Sequence, residues 1–131
     1  MTFKGDNIFL RKKLVSLLVS MILLLVLTGC NTGIKGNPTP KDYLGNADAD
    51  IFVLEGIVYS NVEDVDWVQE SDYTLGKQVD EITKQSSKAW NFNNGTSNKL
   101  PVGTKIYATD LGFVIAIIEG EEIPYLGQYE G

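Results

Sequence analysis

The sequence predicts a mainly β fold, with an α+β variant left open: a small antiparallel sheet or partly open barrel of four to five strands, with at most one or two short helices. Three observations predict it. β-branched and aromatic residues dominate the runs at 51–62, 106–108 and 113–118. Turn signals separate the last two runs at Asp110–Gly112 and close the third at Glu119–Gly120. The polar loop "NFNNGTSN" carries an Asn-Gly turn at Asn94 and Gly95.

Taken in order, the chain divides into residues 1–29, a signal segment; 30–50, a tether; and 51–131, a β-rich domain. The first segment gathers Lys4, Arg11, Lys12 and Lys13 ahead of the apolar stretch "LVSLLVSMILLLVL" at 14–27, then Thr28, Gly29 and Cys30. A basic flank, an apolar run and small residues are the tripartite order of a secretory signal. At 14 residues the run is shorter than the roughly 20 that span a hydrocarbon core, so a cleaved segment fits better than a permanent span.

The tether, "NTGIKGNPTPKDYLGNADAD" after Cys30, is rich in Gly, Asn, Pro and Asp and has no sustained apolar period. In the domain, "IFVLEGIVYSNV" predicts one strand with a bulge at Gly56. "SNVEDVDWVQES" predicts a short helix, because Ser60 and Glu63 have capping-box spacing and Val62, Val65 and Val68 recur every three residues. Residues 75–84 suit a strand or a helix, with the strand preferred. Pro124 predicts that the final strand lies at an edge or begins there.

Composition narrows the chemistry. The chain has no histidine and one cysteine, so a histidine base, a Ser/His or Cys/His nucleophile, an internal disulfide and a thiolate metal cage are all excluded. Formal charge is −6 overall, but from Cys30 onward there are 16 acidic residues against 7 basic ones, a net −9. Such a surface repels nucleic acid and anionic lipid headgroups, so neither is expected as a partner through electrostatic attraction.

Leu27, Thr28, Gly29 and Cys30 resemble the bacterial lipobox, and the stretches "LPVGTKIY" and "IPYL" in the exported region are similar to a group of small uncharacterised lipoproteins of Bacillus-type Firmicutes. In that group a glycine often follows the valine that matches Val79, where this chain has Asp80. The resemblance implies cleavage between Gly29 and Cys30, a diacylglycerol with palmitate-type chains on the Cys30 sulfur, and residence on the extracytoplasmic face of the cell membrane. It implies no catalytic residue. Two acyl chains hold a protein stably where one holds it marginally.

Within the domain three groups of side chains are candidates for function. Asp48, Asp50, Glu63, Asp64, Asp66, Glu70 and Asp72 offer oxygen ligands of the kind calcium takes, without EF-hand spacing. Glu119, Glu121 and Glu122, beside Tyr125, are the carboxylates available to a hydrolase, yet a hairpin tip would expose them. Of the aromatics Trp67, Tyr73, Trp90, Phe92, Tyr107 and Tyr125, most are expected in the core, with Trp90 and Phe92 expected to be exposed beside the polar loop and to form a binding surface. No cofactor and no metal centre is expected. The expected activity is binding at the cell envelope, with an envelope protein, peptide or glycan as partner and no nucleic acid. An enzyme acting on envelope polymers through its carboxylates, or a weak cation-binding module, is the alternative.

Overall fold

The computed structural model describes residues 11–21 and 36–130. The chain forms two units, 1–35 and 36–131. In the first, residues 11–21 are helical (α1). No described helix is long and apolar enough to cross a membrane.

The second unit is mainly β. Its helices are α2 (Pro40–Leu44) and α3 (Asp66–Gln69), with a 3-10 turn at Ala89–Asn91. Its strands are β1 (Ile51–Leu54), β2 (Ile57–Asn61), β3 (Leu75–Glu81), β4 (Lys84–Gln85), β5 (Thr96–Ser97), β6 (Lys105–Thr109), β7 (Val114–Ile118) and β8 (Glu121–Gly127). All eight form one sheet, ordered β3-β6-β7-β8-β2-β1-β5-β4, that curls into a half-barrel. The expected four to five strands are therefore too few.

Three features account for the difference. The run from residue 51 is a hairpin and not one bulged strand: Glu55 and Gly56 both take positive φ, at 50° and 77°, and β1 pairs antiparallel with β2. Positive φ at both central residues gives the turn a hand that matches strand twist. Next, β5 is only two residues long, yet it pairs with β1 on one side and, in parallel, with β4 on the other. Residues 75–84 are extended, and they do double service.

The sheet order begins with β3 and ends with β4, and only Ile82 and Thr83 lie between these two strands. Successive N–H groups of an extended chain point to opposite sides. Accordingly Ile82 N–H donates to the Thr104 carbonyl (2.8 Å), while Thr83 N–H donates to the Gly95 carbonyl (2.9 Å). One continuous run thus forms both margins of the sheet.

Pro124 lies in β8, between β7 and β2, and not at an edge. Its carbonyl accepts from Val62 N–H (3.0 Å) just past the end of β2, so its missing donor faces the Val62 carbonyl. That carbonyl accepts instead from Val65 N–H (3.0 Å), in the turn leading to α3. The proline therefore leaves no acceptor stranded. The expected Ser60 cap is displaced with it: Ser60 lies in β2, and α3 is a single turn whose N-cap is Val65.

Burial explains the uninterrupted apolar runs. Inside the curl, Phe52, Ile82, Leu100, Ile106, Val114, Ala116 and Tyr125 form the main cluster. The other face of β1 sends Ile51 and Val53 into a second cluster with Val58 and Phe92, covered by Tyr43 and Leu44 of α2. The other face of the β7 region sends Phe113 and Ile115 into a third, with Val62 and Val68. A strand covered on both faces loses its alternation of apolar and polar residues.

Residues 36–50, expected as tether, belong to the folded unit. Pro40 opens α2 at a position that needs no donor, and Asp42 accepts from Thr39 N–H (2.7 Å). Asn98 then fixes the entry to β1, donating from Nδ2 to the Ala49 carbonyl (2.7 Å) and accepting at Oδ1 from Ile51 N–H (2.8 Å).

Candidate functional site

Cys30, the expected lipid attachment point, and the expected cleavage site between Gly29 and Cys30 lie outside the described residues. The sites that remain are on the folded unit.

Trp90 and Phe92, expected together at the surface, part company. Trp90 is the most exposed aromatic side chain described, at 83%. Phe92 is buried at 6% and packs with Ile51, Val53 and Val58. The cause is local: Trp90 sits in the middle of the 3-10 turn, and the chain leaves that turn at Phe92 in an open conformation (φ −125°, ψ 89°) that carries the ring inward. Phe92 lines the floor of a groove of about 370 Å³ with Pro38, Pro40, Val53 and Asn94.

Lysines collect around the Trp90 turn. Lys88 directly precedes it, and Lys84 Nζ donates to Asn91 Oδ1 (2.8 Å) within it. Helix α2, which carries Lys41, packs against the same turn. Gln85 of β4, whose side chain lies on the opposite face of the strand from that of Lys84, donates to the Lys99 carbonyl (3.2 Å). Two of the seven basic residues after Cys30, Lys84 and Lys88, therefore border the turn that carries Trp90. These two lysines lie four positions apart in the sequence, but that the turn at 89–91 brings both beside Trp90 was not visible there.

The acidic residues divide. Asp42, Asp48 and Asp50 line a second groove, of about 240 Å³, with Tyr43, Asn46 and Asn61. Asp50 is the centre of a hydrogen-bonded chain. The fully buried Tyr125 hydroxyl donates to its Oδ1 (2.7 Å), and Asn61 Nδ2 donates to its Oδ2 (2.9 Å) and to Glu63 Oε1 (3.2 Å). Burial first, then the Asp50 charge, pushes the Tyr125 hydroxyl well above the usual tyrosine value of 10.0. Asp64, Asp66, Glu70 and Asp72 are exposed around α3. Among the described residues no three carboxylates or other ligating groups converge as a metal centre would require.

Glu119, Glu121 and Glu122 lie exposed at the β7–β8 turn, as the sequence suggested. Glu122 accepts from the Tyr73 hydroxyl (2.9 Å), and burial followed by this bond raises the Tyr73 pKa. Tyr125, expected beside these carboxylates, points into the core toward Asp50 instead. Trp67, expected in the core, is half exposed with its ring edge-on to Phe113 (6.0 Å).

No family profile, no characterised protein and no solved structure matches the chain.

Proposed function

We propose that this chain is a bacterial lipoprotein, held on the extracytoplasmic face of the cell membrane by lipid on Cys30, whose folded unit is a binding module of the envelope and not an enzyme. One observation carries the reading: Leu27, Thr28, Gly29 and Cys30 follow directly on an apolar run with a basic flank, and the chain's one cysteine occupies the position such processing requires. The similarity to small lipoproteins of Bacillus-type Firmicutes, in the "LPVGTKIY" and "IPYL" stretches, supports the same reading.

The carboxylates favour binding over hydrolysis. Glycoside chemistry needs one carboxyl held protonated by burial opposite a second, ionised one. Here Glu119, Glu121 and Glu122 are exposed, and both Asp50 oxygens already accept hydrogen bonds from Tyr125 and Asn61. The partner class is an envelope protein, a peptide or a glycan, with no nucleic acid, in keeping with the acidic balance.

The test is Cys30→Ala expressed in the native envelope beside the wild type. The variant is expected to accumulate as full-length precursor without fatty-acid label, while the wild type begins at a lipid-bearing Cys30. Recovery of wild-type chain with residue 1 intact and a free thiol overturns the reading.

A further inference from the structure

We infer that the surface around Trp90 docks on the anionic lipid bilayer itself, so that the folded unit lies against the membrane on a defined face; the inference deepens the lipoprotein reading and rests on it. Three observations on separate parts of the chain converge.

The first is reach. The folded unit begins at Gly36, six residues after Cys30. Six residues span at most about 22 Å even when fully extended. A unit of this length has a radius of gyration of about 12 Å and hence a width above that reach. The part of the unit next to Gly36 is therefore kept at the bilayer surface. Asn37 and Pro38 lie there, lining the groove that ends on Phe92, Asn93 and Asn94, and α2, three residues further on, packs against the 3-10 turn that bears Trp90.

The second is the side chain. Tryptophan favours the membrane–water interface, where its ring is buried among headgroups and its N–H stays wet. Trp90 is 83% exposed and makes no ring contact with another aromatic residue described, whereas Trp67, the other tryptophan, is edge-on to Phe113 around a different cluster. Leaving so large an apolar side chain in water is unfavourable. A bilayer within reach removes that cost.

The third is charge. The exported chain is acidic overall, but Lys84 and Lys88 border the turn that carries Trp90, and Lys41 lies on α2, which packs against it. Lysine near an anionic leaflet is attracted over about a Debye length and can extend its ammonium to the phosphates while its stem lies along apolar surface. These lysines, set among Asp42 and Glu130 at the same end of the unit, give the leaflet cationic contacts beside Trp90. A glycan or protein partner in place of lipid would give no reason for this face to be the one next to Gly36.

The full mature lipoprotein, with the Cys30 lipid verified by mass, is reconstituted in phosphatidylcholine vesicles with or without phosphatidylglycerol at a third of the lipid. Trp67→Phe leaves Trp90 as the only reporter, and Trp90→Phe leaves Trp67; circular dichroism checks that each is folded. In anionic vesicles Trp90 is expected to be quenched by brominated lipid chains and at least about twofold less open to acrylamide than Trp67. Lys41→Gln and Lys88→Gln together should abolish the difference between anionic and neutral vesicles, with Lys84 kept because it holds Asn91. If Cys30 carries lipid and Trp90 is as open to acrylamide as Trp67, membrane docking is overturned and lipid anchoring stands. Equal protection on neutral and anionic vesicles overturns the role of the lysines. Absence of lipid on Cys30 removes the anchoring reading, and docking with it.

Discussion

Replacing Tyr125 by Phe removes one oxygen from the centre of the domain and leaves the ring in place. The ring packs at 0% exposure, 5.0 Å edge-on from Phe52, so the substitution opens no cavity. What is lost is the 2.7 Å hydrogen bond to Asp50. Bonds to charged groups contribute about 1.5–3 kcal/mol. Asp50 is half-buried and keeps Asn61 as a second donor, so the lower end applies, about 1.5 kcal/mol. For a domain of under 100 residues that lowers Tm by about 6–12 °C. Urea unfolding of residues 36–131 at neutral pH measures it as a lower midpoint at unchanged slope. Combining Tyr125→Phe with Asp50→Ala closes a double-mutant cycle, which should show the two effects to be strongly non-additive. A loss under about 0.5 kcal/mol, or simple additivity, would mean that Asp50 prefers water to the tyrosine and that the buried hydroxyl contributes nothing net.

Because the Tyr125 pKa is raised on folding, the unfolded chain loses this proton above pH 10 while the folded one keeps it; stability is full below pH 10 and falls as pH rises beyond it, by up to about 1.4 kcal/mol per unit, a share that Tyr125→Phe should remove from urea midpoints taken at pH 9 to 11. Ser97→Ala should cost about 1–3 kcal/mol in the same assay, because the buried hydroxyl donates to the Ile51 carbonyl (2.9 Å) and accepts from Leu100 N–H (3.0 Å). Gly95→Ala should destabilise by well over the roughly 1 kcal/mol cost of φ > 0 alone, since its Cβ would lie 2.7 Å from Thr83 Oγ1, whereas Gly120→Ala, at nearly the same φ in open space, should cost only that amount; equal midpoints for the two would sink the argument.

The sequence carried the β class and the turns that have their own chemistry. Asn94-Gly95, Asp110–Gly112 and Glu119–Gly120 are turns in the structure as expected. The Glu55–Gly56 hairpin was hidden because glutamate has no intrinsic preference for φ = 50°; the pairing of β1 with β2, and not the residue, imposes it. β5 was hidden because two polar residues, Thr96 and Ser97, make no periodic pattern, and their burial depends on partners more than 40 positions away. Likewise α2 is a single turn, too short to show a stripe, and it is held by what Tyr43 and Leu44 meet on β1. At the candidate site, the flanking polar loop led to the expectation that Trp90 and Phe92 are both exposed, and only Trp90 is. In a 3-10 turn neither strand alternation nor helical period says which of two neighbouring aromatics turns inward.

The way Ile82 and Thr83 face opposite neighbours bears on how the molecule comes together. Hairpins such as β1–β2 and β7–β8 are local and form in microseconds, but β2 must find β8 across more than 60 residues and β1 must find β5 across more than 40. Those two residues can act as a clasp only once both lips are in place. Closure by this clasp therefore depends on both of these non-local pairings, so a substitution that weakens either one also loosens the hold of Ile82 and Thr83 on the two margins of the sheet.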